Sequence, residues 1–289
     1  MNTPSTAVAP VDLWFLRHRR VARPRARLLC FPHAGGSPTA FRTWHRHLPD
    51  DVEVLAVCYP GRQDRLGDPF PASLDDLATQ ITAAAQPLRD VPLALFGHSM
   101  GAVVAYQVAL RLEARSGTPP HETPLPLRVF VSGCEAPGRF DHSHLLAADD
   151  DTLLTVVRGL GSSAAKALEI PALRDLVLPS IRADFRLLAA YRPEPSHAGT
   201  RLGTPIVAFV GDRDPACRLD AVHAWSERTT SGFEAHVFPG DHFYLEPLES
   251  ELLRRVQDHL LAGLRAVRPT RTTPGRPPLE PIRTQRTRT

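Results

Sequence analysis

The stretch Pro92-Leu-Ala-Leu-Phe96-Gly97-His98-Ser99-Met100-Gly101, continued by Ala102-Val-Val-Ala-Tyr-Gln-Val-Ala-Leu110, decides the fold of this 289-residue chain. A short apolar run enters a serine held between two glycines, and a helical pattern leaves it. The segment therefore reads as strand, tight turn and helix, a nucleophile elbow. The glycines answer a steric demand: the turn strains the central backbone, and a flanking side chain would meet the adjoining strand or helix. Ser99 is lifted clear of the sheet as the candidate nucleophile. The backbone N–H of Met100 falls at the start of the helix, where the positive end of the dipole can hold a developing oxyanion.

Working outward, apolar runs at 28–31, 52–58, 93–96, 127–131, 205–210 and 235–238 are buried-strand candidates. Helical patterns lie between them at 40–48, 74–88, 102–114 and 219–228, with a last one at 248–264 whose leucines repeat on one face. Such alternation predicts an α/β fold, a mostly parallel central sheet with helices on both faces. About seventy residues between Ser132 and Pro205 break the pattern. Helical periodicity at 151–160 and 170–191 makes this segment, roughly 135–200, a helical lid over the carboxyl edge of the sheet, where ligands bind in open α/β folds, rather than a pair of helices extending the core. The expected organisation is a partly flexible N-terminal segment at 1–27, one domain at 28–266, and a tail at 267–289.

Composition bounds the rest. With 43% hydrophobic and 22% charged residues the chain has ordinary globular character. It has neither an apolar run long enough to span a membrane nor a signal-like start, which predicts a cytoplasmic protein without membrane contact. Cys30, Cys58, Cys134 and Cys217 are widely spaced, three of them in or at the end of apolar runs, and read as free thiols rather than metal ligands or a disulfide framework. The net charge of +3 is dominated by the tail, which carries six arginines and one glutamate and lacks the apolar surface to order itself. That tail also lacks aromatic residues to stack on bases, so no nucleic-acid partner is expected. Arg17, Arg19, Arg20, Arg23, Arg25 and Arg27 form either a steering patch for an acidic partner or a solvated leading segment.

A serine hydroxyl is a weak nucleophile at neutral pH and needs a base oriented by a buried carboxylate. Candidate acids stand in Gly211-Asp212-Arg213-Asp214, after the run at 205–210, and the candidate base is His242 in Gly240-Asp241-His242, after the run at 235–238. The order Ser, Asp, His matches an α/β-hydrolase. Chemistry alone does not separate Asp212 from Asp214. Asp214 is favoured because the loop has by then cleared the sheet, which leaves Asp212 to hydrogen-bond its own turn. Ala34, in His33-Ala34-Gly35-Gly36, is the candidate second oxyanion donor. His33 and His98 serve either substrate contact or packing. No metal site is expected.

These residues together resemble a known family. Leu29-Cys-Phe-Pro-His-Ala-Gly-Gly-Ser37, Tyr59-Pro-Gly-Arg62, Gly97-His-Ser-Met-Gly101, Gly211-Asp-Arg-Asp214 and Gly240-Asp-His242 look like the type II thioesterases of polyketide and nonribosomal peptide pathways. The resemblance implies a stand-alone hydrolase that clears stalled or aberrant acyl groups from the phosphopantetheine arm of carrier proteins, and a monomer is expected. It implies Ser99, Asp214 and His242 as triad, Met100 and Ala34 as oxyanion donors, and no cofactor beyond the partner's arm. Ser132-Gly-Cys134-Glu135 departs from the pattern, with Cys and Glu where relatives often carry basic residues. A generic serine esterase acting on small esters is the alternative, and a non-catalytic binding module on the same fold is a third reading.

Overall fold

The computed structural model describes residues 11–115, 125–161, 168–192 and 199–266. Its strands are β1 (Phe15–Leu16), β2 (Ala26–Phe31), β3 (Val52–Val57), β4 (Leu93–His98), β5 (Val129–Ser132), β6 (Ile206–Gly211) and β7 (Phe233–Phe238). They join in one sheet of order β1-β3-β2-β4-β5-β6-β7. Only β1 is antiparallel to its neighbour. β3, β4, β5 and β6 are buried along their whole length, which is why they read as continuous apolar runs instead of alternating ones.

Successive strand residues point to opposite faces. Leu29, Leu55, Leu95 and Val129 pack under α2 (Leu74–Ala85) and α3 (Met100–Ala114). Their neighbours Leu28, Val54, Phe96 and Phe130 pack on the other face, under α7 (Glu249–Ala266) and Trp44. From α7, Leu252, Leu253, Val256 and Leu260 are buried there, each contributing about 1.5–3 kcal/mol of apolar burial. Helix α2 begins at an N-cap where Ser73 Oγ accepts the Asp76 N–H and the Asp76 carboxylate accepts the Ala72 N–H, two otherwise orphaned donors. The insertion between β5 and β6 carries α4 (Asp150–Gly159) and α5 (Pro171–Ala190), which share a small core of their own built from Leu145, Leu153, Leu154, Ile181 and Phe185.

Three expectations need correction. The pattern at 40–48 forms two 3-10 turns, Pro38–Phe41 and Trp44–Arg46, not an α-helix. Three-residue periodicity puts Phe41 and Trp44 on one side, their rings 4.8 Å apart in the core. In the same way α6 (Leu219–His223) gives way to a 3-10 turn at Ala224–Arg228, so that Val222 and Trp225 are both buried. The boundary at 28 marks no edge of the core: α1 (Val11–Trp14) and β1 bring Trp14 and Phe15 inside, each 1% exposed. The arginine cluster divides between inward pairs and a solvated edge, where Arg20, Arg23 and Arg25 are exposed. Arg17 pairs with Asp12 and Glu53, Arg19 with Asp50, Arg25 with Asp51, and Arg27 with Glu53 and Asp90. Residues 1–10 and the tail at 267–289 lie outside the described residues, and no described helix is long and apolar enough to cross a membrane.

Candidate active site

Ser99 sits between the carboxyl end of β4 and the first turn of α3 with φ 55° and ψ −124°, a strained conformation for a residue with a side chain. Its N–H is anchored to the Ser132 carbonyl at 2.8 Å. The flanking glycines are sterically required. A Cβ on Gly97 would lie 2.1 Å from the Gly101 carbonyl oxygen, and one on Gly101 would lie 2.1 Å from that of Phe31.

The acid and base loops emerge from the same sheet edge and lie against each other; a Cβ on Gly211 would stand 2.3 Å from the Asp241 carbonyl oxygen. His242 Nδ1 donates to Asp214, with the two carboxylate oxygens at 2.8 and 3.0 Å. Both side chains are out of solvent, 2% and 0% exposed. The Ala216 N–H also donates to Asp214 Oδ1 at 2.9 Å, which holds the carboxylate in place. Asp212 has a different task from the one expected: instead of bonding its own turn it accepts the Gly240 N–H at 2.8 Å, tying the acid loop to the base loop. Asp241 Oδ1 accepts the Phe243 N–H at 2.9 Å and shapes the turn beside the base.

With its proton on Nδ1, His242 presents a lone pair at Nε2. That atom is buried and has no hydrogen-bond partner among the described residues. It faces the cavity that Ser99 lines, although no hydrogen bond joins Nε2 to the serine hydroxyl in this structure. Met100 and Ala34 line the same cavity, and no described backbone carbonyl takes the N–H of either. Four sequence-predicted positions therefore converge on one space, and Asp214 stands behind His242.

The space is about 910 Å³, and its walls are apolar: Leu145, Leu173, Val177, Ile181 and Phe185 come from the helical insertion. Such a chamber suits an acyl chain. His33 lines it, and burial, with help from neighbouring His242 and the Arg62 charge, lowers its pKa to about 3, so the ring is neutral. His98 does not line the cavity. Its Nδ1 contacts Ser132 Oγ at 3.0 Å, its ring lies 4.9 Å from that of His242, and burial holds its pKa well below the usual value. Packing is thus its role. Cys134 also borders the cavity, but burial and the charges of Glu135 and Asp214 push its thiol pKa far up, which removes it as a competing nucleophile.

One pair of supporting residues escaped the sequence reading. Arg62 and Asp184 form a buried two-pronged ion pair with both contacts at 2.9 Å. Asp184 Oδ2 also accepts the Gly35 N–H at 2.7 Å, and Arg62 donates to the Gly36 carbonyl at 2.7 Å. The pair therefore fixes the loop that carries Ala34 and pins it to α5. A signal was present in the single acid within the apolar face Ile181, Phe185, Leu188 of that helix.

A model of the thioesterase domain family matches residues 26–260. Thioesterase PikA5 of Streptomyces venezuelae is 37% identical over 250 residues, covering 86% of this chain and 86% of that protein. The gramicidin S biosynthesis protein GrsT of Aneurinibacillus migulanus is 30% identical over 255 residues, 86% of this chain and 94% of its own length. Among solved structures, the type II thioesterase BorB from the borrelidin biosynthetic cluster superposes with a TM-score of 0.77 at 34% identity, covering 90% of this chain and 100% of that one.

Proposed function

The chain belongs to the thioesterase domain family, a family of serine hydrolases, and from that premise we propose that it is a type II editing thioesterase that clears aberrant or stalled acyl groups from the phosphopantetheine arm of acyl or peptidyl carrier proteins. The observation that carries this reading is the buried Asp214–His242 pair, whose unpartnered Nε2 opens, with Ser99, on an apolar chamber roofed by the insertion. Relatives named for gramicidin S biosynthesis and for the borrelidin biosynthetic cluster support the carrier-bound substrate.

In this proposal His242 Nε2 takes the Ser99 proton as the hydroxyl oxygen attacks the thioester carbonyl, and Asp214 steadies the imidazolium through Nδ1. Catalytic hydrogen bonds that are open in the free enzyme commonly tighten when substrate arrives, so the unmade Ser99–His242 bond closes in the complex. The oxyanion is held by the N–H groups of Met100 and Ala34, and as it collapses the C–S bond breaks and the departing sulfur takes the proton from His242, so the arm leaves as a thiol and the imidazole is neutral again. Because a thiol with a pKa of about 8.5 is a good leaving group, little acid assistance is needed in this first step. Water, deprotonated by His242, then attacks the acyl-serine and releases the free acid.

The test is mass-spectrometric deacylation of a set of acyl-carrier proteins beside the matched small thioester and oxygen ester. A higher kcat/KM on the carrier-bound thioester is expected. Equal or better hydrolysis of the oxygen ester would instead identify a general esterase.

A further inference from the structure

We propose that Glu234, His236 and His259 form a three-ligand site for a divalent transition metal of the zinc class, tying the edge strand β7 to helix α7. His236 Nε2 lies 3.1 Å from His259 Nε2 and 3.0 Å from one Glu234 carboxylate oxygen, and the other oxygen lies 3.8 Å from His259 Nε2. Donor atoms from two elements thus converge within 4.8 Å of one another. A proton on one Nε2 can bridge the corner by hydrogen bonds; with both Nε2 atoms unprotonated, two imidazole lone pairs and a carboxylate face one another, and a cation at the centre accepts all three.

The spacing suits that cation. Zinc holds imidazole nitrogen and carboxylate oxygen at about 2.0–2.2 Å in a tetrahedron, which sets neighbouring donor atoms about 3.3 Å apart. The 3.0 and 3.1 Å contacts at His236 Nε2 lie close to this edge, and the 3.8 Å contact of His259 Nε2 runs to the second carboxylate oxygen. Two imidazoles and one carboxylate favour zinc-like ions over magnesium or calcium, which prefer oxygen alone. A fourth position stays open on the side of Glu234, which is 57% exposed, for water.

The rings are also held in place before any metal arrives. His236 pairs in register with Phe209 and stacks on it at 5.4 Å with 21° between planes, and His259 meets the ring of Phe130 at 6.2 Å. Each imidazole is only 17% exposed. None of the three residues lines the catalytic cavity, so the metal acts as a clamp on the strand that leads to the His242 loop, not as a reagent.

The experiment uses the full chain, stripped with chelator and titrated with Co²⁺ by absorption spectroscopy, then with Zn²⁺ in competition. One equivalent of Co²⁺ giving d–d absorption that Zn²⁺ abolishes is expected, together with a rise in melting temperature. His236→Ala and His259→Ala are each expected to weaken binding at least about tenfold, since even outer-shell partners are worth that much. Both single variants should keep wild-type hydrolysis rates. The proposal is overturned if the wild type takes up no stoichiometric metal at micromolar concentration, or binds it as tightly after both histidines are replaced. Should the alanine variants not fold, Glu234→Gln at the exposed corner decides, and unchanged Co²⁺ affinity there overturns the site.

Discussion

At the scale of single residues, the site rests on a serine in a strained conformation and on the pair that activates it. Ser99→Ala removes the nucleophile without disturbing the turn, so turnover should fall by about three or more orders of magnitude while binding of an acyl-carrier protein is retained. An unchanged rate would reject the assignment. The two neighbouring aspartates are separable by the same logic. Asp214→Asn leaves the geometry but turns the imidazole toward the wrong tautomer, for which a loss of about 10⁴ in kcat is expected. Asp212→Asn keeps an oxygen that can accept the Gly240 N–H, and its kcat should stay within a few-fold of wild type. Comparable losses in the two variants would mean that the carboxylate role is shared. The positions of Ser99 and His242 at the site were legible in the sequence because each lies directly beyond an apolar run that forms a strand, buried throughout at β4 and only in part at the edge strand β7. The choice of Asp214 followed from loop length, but the cross-loop bond of Asp212 did not, because its partner lies 28 residues away.

At the scale of elements, periodicity revealed the buried strands and both helices of the insertion, since each presents a continuous apolar run or a clean helical stripe. It failed where tertiary packing chose the geometry. The two-residue β1 is too short to show alternation, and the 3-10 turns around Phe41–Trp44 and Val222–Trp225 are set by which rings must enter the core. The Arg62–Asp184 pair was invisible for a related reason: its members are 122 residues apart, and only the fold joins them. Their pairing makes α5 and the Ala34 loop one unit. Removing one partner strands a buried charge, so Asp184→Ala should cost about 3–5 kcal/mol and lower kcat as the Gly35 N–H loses its acceptor. The double variant Arg62→Met, Asp184→Leu removes both charges and should recover much of the stability, yet not the kcat. Thermal melts with steady-state kinetics on all three proteins check this, and recovery of both properties together would show that the pair does not hold the oxyanion loop.

At the scale of the whole molecule, the sheet edge that gathers the catalytic groups also buries neutral imidazoles, and this gives the fold a pH dependence. His33 has a pKa of about 3 in the folded chain against 6.5 for a free ring, and His98 is also held well below 6.5, both chiefly by loss of water. Below pH 6.5 the unfolded chain therefore binds protons at these rings that the folded chain refuses. Stability is at its full value above that pH and falls as pH drops toward 3, by up to about 1.4 kcal/mol per pH unit for each ring. The depressed carboxylate of Asp90, held down by Arg27, acts in the same direction, but only below its ordinary value of 3.8. Acid lability should therefore begin in the histidine range, well before the carboxylates titrate. Urea melts from pH 7.5 to 4.5, run in chelator so that the corner at His236 and His259 carries no metal, should show unfolding free energy declining over that interval. His98→Gln keeps a polar partner for Ser132 and removes one proton from the linkage, so its decline should be shallower by that one ring's share. A slope identical to that of the wild type would mean that His98 is already protonated in the folded protein, and the packing of the triad face would then need another description.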